Sequence, residues 1–184
     1  MDTDIVLAEA ERESRGVSSD EAADFVLAYE RHRAPVFRYL RARSPTDEDA
    51  ADLTAATFER AWAARRSFRG SPDQYPAWLF AIARRLAIDA GRRRRPERPH
   101  DEVPETADPA AGPADVAQRH EEDRVLLARL ARLPDVQRDA LLLRYAGGLT
   151  AGQIGEVIGK RQEATQKLIS RALASLKEVY GADD

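Results

Sequence analysis

Apolar positions recur with helical spacing along most of the chain, and no segment shows the two-residue alternation of a strand. Phe25, Tyr29, His32, Val36 and Leu40 form one stripe, and Pro35 inside it predicts a kinked or split helix. A second helix is expected to begin at Thr46 or Asp47, either of which can cap it. Asp47, Glu48 and Asp49 suit the positive end of its dipole, and its apolar face runs Ala50, Leu53, Thr57, Phe58, Ala61 and Trp62. A turn-rich stretch from Phe68 to Asp73 leads to a third helix, Trp78 to Arg95, with Trp78, Leu79, Ile82, Leu86 and Ala90 on one face.

From Pro96 to Pro113 the residues are PERPHDEVPETADPAAGP, rich in proline and acid and poor in large apolar side chains, which predicts an extended linker. Helical spacing returns from about Asp115 to Leu133 and again from Asp135 to Tyr145, where Gly147 and Gly148 stop it. Thr150 and Gln153 form a capping box before Ile154, Val157 and Ile158. Gly159 ends that short helix, Lys160 and Arg161 make the turn, and a last helix runs from Gln162 to about Val179. A capped short helix, a glycine turn and a longer helix whose first turns are polar make a helix-turn-helix. The expected fold is all-α. A tail (residues 1–20) precedes a first helical domain (21–95), and a linker (96–118) joins it to a second (119–180).

Charge sharpens this picture. The formal net charge is −3, yet residues 84–98 hold seven arginines against Asp89 and Glu97, a local +5. Residues 1–24 carry −6 and residues 99–118 carry −5, so a basic patch lies between acidic flanks. Such a concentration marks a polyanion-facing surface, although cations also stabilise a helix C-terminus for purely local reasons. The acidic flanks are expected to repel phosphates and to fold back on the arginines. On the last helix, Arg161, Gln162, Thr165, Gln166, Lys167, Ser170 and Arg171 lie away from the apolar stripe and suit base edges and phosphates. Phe68 and Tyr75, flanking the polar turn, suit base stacking, whereas Trp62 and Trp78 sit on apolar faces and suit packing.

Other chemistry is excluded or weak. The chain has no cysteine, which removes disulfides, thiolate metal sites and cysteine nucleophiles and fits a reducing cytosol. His32, His100 and His120 have no metal-ligand spacing, and no cofactor is expected. Asp47, Glu48, Asp49 and Asp52 are explained as helix N-terminal charge more simply than as a cation site. Gly155 to Lys160 is one residue short of a phosphate loop and follows no strand. No apolar run is long enough to cross a bilayer, and the acidic N-terminus does not read as a signal peptide, so a cytoplasmic location without membrane contact is expected.

Three blocks carry a resemblance to a known family. They are Ala51-Asp52-Leu53-Thr54-Ala55-Ala56-Thr57-Phe58 with Ala61-Trp62; Ala77 to Asp89 with Arg92-Arg93; and Leu133-Pro134, Arg138, Leu141 to Tyr145, Gly148-Leu149-Thr150, Gln153 to Gly159 and Ser170-Arg171-Ala172. In order and spacing they resemble the extracytoplasmic-function (ECF) group of bacterial sigma-70 family sigma factors. Thr54-Ala55, Arg85 and Glu163-Ala164-Thr165 depart from the usual residues at their positions.

The resemblance implies a non-enzymatic transcription initiation factor. It implies docking on the clamp and flap of core RNA polymerase, with Asp52, Leu53, Phe58 and Trp62 facing the core. It implies recognition of a promoter −10 element by Phe68, Arg69, Tyr75, Arg84, Arg85, Arg92 and Arg93, and of a −35 element by the seven polar positions of the last helix. It also implies an anti-sigma partner and a linker that threads toward the polymerase active centre. A stand-alone helix-turn-helix regulator with a sensing or dimerising N-terminal lobe, and a scaffold whose arginines bind an acidic protein, remain the alternatives.

Overall fold

The structure, a computed structural model, describes residues 19–94 and 124–181 of the 184-residue chain. The expected linker and all but the last two residues of the expected acidic tail fall outside the described residues, as do Arg95 and the start of the helix expected from Asp115; Ser19 and Asp20 already belong to the first helix. Among the described residues all regular structure is helical. The helices are α1 (Ser19–Arg41), α2 (Asp47–Ala64), α3 (Tyr75–Arg94), α4 (residues 124–131), α5 (Asp135–Tyr145), α6 (Ala151–Ile158) and α7 (Gln162–Gly181). Two 3-10 turns, Arg65–Ser67 and Pro72–Gln74, lie between α2 and α3.

Helix α1 runs through Pro35, so the expected split does not occur. The chain instead divides into two compact units at Arg33 and Ala34, just before the proline, whose missing N–H removes one rung of the helix ladder. In the first unit Val26 and Leu27 are exposed, and the Arg33 guanidinium lies 5.8 Å from the Tyr29 ring centroid.

Near the start of the second unit Val36, Tyr39 and Leu40 are all fully buried. Arg41 pairs with Asp47 across the turn into α2. Thr46 caps α2 as expected, its Oγ1 accepting from the Asp49 amide at 3.0 Å. The α2 face that meets α3 is built of Ala50, Leu53, Thr54, Thr57, Phe58 and Ala61, opposed by Ala77, Leu79, Phe80, Ala83, Leu86, Ala87 and Ala90. The many alanines let the two backbones approach closely. The buried Thr54 and Thr57 hydroxyls donate to the carbonyls of Ala50 and Leu53, both at 2.7 Å, so neither is stranded in the core. Arg94 at the end of α3 reaches Asp49 at the start of α2, 2.6 Å away.

Helix α3 starts at Tyr75, one turn earlier than expected. Pro76, whose missing N–H would have no helical partner there, suits the first turn. Helices α5, α6 and α7 pack together, and α3 packs against α6. The helices expected to form two separate lobes therefore touch.

Candidate nucleic-acid interface

Between α2 and α3 the chain is held in a tight, locally bonded loop. The Arg65 guanidinium stacks 3.8 Å from the Trp62 ring centroid and donates to the Trp62 carbonyl at 2.8 Å. Arg69 Nη1 donates to the Arg66 carbonyl, and the Ser71 amide donates to Gln74 Oε1 at 3.0 Å. Phe68, Tyr75 and Trp78 form a triangle of rings, with centroids 5.7, 5.1 and 5.4 Å apart. Gly70 lies against it, and a Cβ there would stand 2.7 Å from the Phe68 ring. Burial pushes the Tyr75 phenol up from its ordinary pKa, so it stays protonated at neutral pH. The loop thus presents half-buried aromatic faces beside exposed Arg66, Arg69, Ser71 and Asp73. Trp78, expected only to pack, is the third member of this trio.

The expected arginines of α3 separate into two kinds. Arg85, Arg92 and Arg93 are exposed, with Arg85 and Arg92 seven residues apart and so on one face. Arg94 is paired with Asp49. Arg84, expected to face DNA, is turned the other way, with Nε 2.8 Å from Oδ2 of Asp139 in α5.

The helix-turn-helix is built as the residues predict. The Thr150 amide donates to Gln153 Oε1 at 2.8 Å and its Oγ1 accepts from the Gln153 amide at 3.3 Å, closing the capping box. Gly159 takes the left-handed conformation, φ 70°, that ends α6. Helix α7 then presents Arg161, Gln162, Gln166, Lys167, Ser170 and Arg171 in exposed positions. An open groove of about 360 Å³ beside it is lined by Arg144, Ala151, Gln162, Gln166, Ile169 and Ser170. Thr165 departs from expectation. It is fully buried, and its hydroxyl donates to the Arg161 carbonyl at 3.1 Å, so it supports the turn from beneath rather than facing outward.

Asp139 is 1% exposed and was not expected to matter. Its Oδ1 accepts from the Tyr39 hydroxyl at 3.1 Å and from Arg43 Nη1 at 2.6 Å, and its Oδ2 from Arg84 Nε. Burial, then the Asp139 charge, pushes the Tyr39 phenol far above its ordinary value, which keeps it a donor. Burial, then the charge of Arg43, lowers the pKa of neighbouring Arg138, which pairs with Asp135. Three more contacts link residues 38–80 to residues 146–153. Arg38 Nη2 donates to the Ala146 carbonyl at 3.5 Å, and Gln153 Nε2 to the Asp73 carbonyl at 2.6 Å. Gly147 abuts Phe80, whose Cζ would lie 2.9 Å from an added Cβ. The one signal in the sequence was an acid inside the apolar run of α5. Its partners are 55 to 100 residues away.

Of the residues expected to face a polymerase, Asp52 is exposed and Trp62 half-buried, but Leu53 and Phe58 are 9% and 4% exposed and pack inward. The expectation for those two is corrected, because they lie on the face that meets α3. The outward face of α2 carries Ala51, Asp52, Ala55, Glu59, Arg60 and Ala63.

This arrangement is that of a known class. Residues 28–97 match the family Sigma-70 region 2, and residues 123–176 match Sigma-70, region 4. The chain is 32% identical to the ECF RNA polymerase sigma factor SigD of Mycobacterium bovis, over 83% of this chain and 75% of that one. It is 30% identical to ECF RNA polymerase sigma factor BldN of Streptomyces coelicolor over 89% of its own length, but spans only 62% of BldN and about half (52%) of SigG of Mycobacterium tuberculosis. Among solved structures, CnrH in complex with the cytosolic domain of CnrY shares the fold with a TM-score of 0.67 and 26% identity, over 87% of this chain and 89% of that one. The chain belongs to the ECF group of the sigma-70 family of RNA polymerase sigma factors.

Proposed function

We propose that this chain directs core RNA polymerase to a set of promoters and helps to open them. One observation carries the reading: a single chain holds two DNA-suited surfaces of different kinds, in the order of sigma regions 2 and 4. The first, an aromatic loop beside Arg69, Arg85, Arg92 and Arg93, suits a −10 element whose bases must leave the stack; Phe68, Tyr75 and Trp78 offer faces to an extruded base. The second, α7, suits the major groove of a −35 duplex, with Arg161, Gln162, Gln166 and Arg171 reading bases and Lys167 and Ser170 on phosphates. Asp52 and Trp62, with the rest of the outward face of α2, form the polymerase-facing surface.

A protein antagonist also fits this reading, since CnrH was solved with the cytosolic domain of CnrY bound. Run-off transcription with purified core polymerase over a promoter library tests the assignment. Initiation from one promoter class, dependent on the chain, is expected. Tight operator binding by the chain alone, with no initiation alongside polymerase, would overturn it.

A further inference from the structure

Helix α6 opens on Ala151 and Gly152, and the space left by the missing side chain of Gly152 is taken by the next helix. An added Cβ there would stand 3.5 Å from Oε1 and 3.9 Å from Cδ of Gln162, the first residue of α7. The Gln162 carboxamide thus lies over the first turn of α6 with its oxygen as the nearer end. Electrostatics favours that orientation. The first amides of a helix have no partner within it and form its positive end. In α6 the Gln153 amide is taken by Thr150 Oγ1. The amides of Ala151 and Gly152 remain, a positive end that attracts an oxygen and repels an N–H.

We propose that Gly152 is a positioning residue for −35 recognition: it leaves room for Gln162 to lie oxygen-inward, so that Gln162 meets the duplex as a donor and reads guanine or thymine. The proposal rests on the promoter reading above. An unconstrained glutamine offers one donor and one acceptor side by side, the pattern that matches N6 and N7 of adenine. With its oxygen held against α6, Gln162 keeps only N–H groups for the groove. Those suit O6 and N7 of guanine or O4 of thymine, and cytosine offers them no acceptor.

The backbone does not call for glycine at this position, since among the described residues only Gly148 and Gly159 have positive φ. Glycine is also a poorer helix former than alanine. What the position requires is small size. An alanine Cβ at 3.5 Å makes an ordinary contact, whereas a larger side chain takes the place of the carboxamide. The helices cannot simply part to relieve it, because Gly159 sets the turn and the Thr165 hydroxyl is bonded to the Arg161 carbonyl. A displaced Gln162 has somewhere to go, however. It also lines the open groove of about 360 Å³ shared with Arg144, Gln166 and Ser170.

Run-off transcription by the holoenzyme, on promoters carrying each of the four bases at every −35 position, tests the coupling. Gln162→Ala should flatten discrimination at one position, where the parent prefers guanine or thymine by about fivefold or more. Gly152→Ala should keep that ranking. Gly152→Val should move the preference at the same position toward adenine by about fivefold or more, since the freed carboxamide presents both its atoms. Gln162→Glu keeps an oxygen against α6 and loses the donors, and should move the preference to cytosine, whose N4 amino group donates.

Circular dichroism establishes that each variant is folded, and if Gly152→Val is not, Gln162→Glu decides. A folded Gly152→Val with the parent's ranking, a Gln162→Glu that still prefers guanine or thymine, or a Gln162→Ala that flattens no position overturns the coupling. Chain-dependent initiation in the same assays would leave the promoter reading standing. A chain that supports initiation from no promoter overturns that reading, and the role of Gly152 with it.

Discussion

Gly155 of α6 and Thr165 of α7 meet where the two helices of the helix-turn-helix cross. A Cβ on Gly155 would stand 3.2 Å from Thr165 Oγ1 and well inside contact distance of the Lys160 carbonyl. The Lys160 amide in turn donates to the Gly155 carbonyl at 2.8 Å, so the turn folds back onto the glycine. The angle at which α7 is presented is therefore set by a hydrogen atom where any other residue has a side chain.

Gly155→Ala should accordingly destabilise this half of the chain by ~1–3 kcal/mol, the usual range for overpacking. Thermal unfolding followed by circular dichroism checks it. An unchanged midpoint would mean that α6 and α7 can part at no cost.

Arg161→Ala, Gln166→Ala and Arg171→Ala should each relax discrimination at one −35 position by ~1–3 kcal/mol, measured by run-off transcription on point-mutant promoters. Thr165→Val should behave differently, lowering stability and leaving base preference as it was, because its hydroxyl bonds to the Arg161 carbonyl rather than facing outward.

Replacing Arg85, Arg92 and Arg93 together by glutamine should flatten the salt dependence of holoenzyme–promoter binding by up to ~3 units of slope, about 0.9 for each phosphate no longer neutralised. Arg94→Gln should leave the slope unaltered and lower the unfolding midpoint, because Arg94 is engaged with Asp49. Equal slopes for the triple variant and the parent would remove α3 from the DNA-facing surface.

Burial, with a smaller contribution from Arg31, holds the His32 imidazole below its ordinary 6.5. The folded chain thus takes up a proton less readily than the unfolded one. Stability tied to the neutral ring is complete above that value and is lost as the pH falls beneath it. Urea midpoints at pH 7.5 and 5.5 should differ less in His32→Gln than in the parent.

What the residue pattern disclosed is what local chemistry controls. Thr46, Thr150 with Gln153, and Gly159 mark their helix ends because a cap or a left-handed turn is decided within four residues. The face of α7 was legible for the same reason, except at Thr165, where a small polar side chain sits equally well on either side of a helix boundary. Leu53 and Phe58 are apolar positions that suit both packing and a contact surface, and the structure gives them to packing. Arg84 and Arg85 are adjacent and chemically identical; only the carboxylate on α5, 55 residues away, assigns one inward and the other outward.

The Asp49–Arg94 ion pair also fixes the point from which the chain leaves α3. Between Arg94 and Arg124 lie 29 residues. Covalent geometry alone limits such a stretch to about 100 Å. That is only slightly more than the ~85 Å between two elements 25 base pairs apart. On the promoter reading proposed above, the anchored exit turns the length of the intervening chain into a ruler for promoter spacing. Loosening the pair would lengthen the ruler, and removing some ten residues from the stretch would shorten its reach below that spacing.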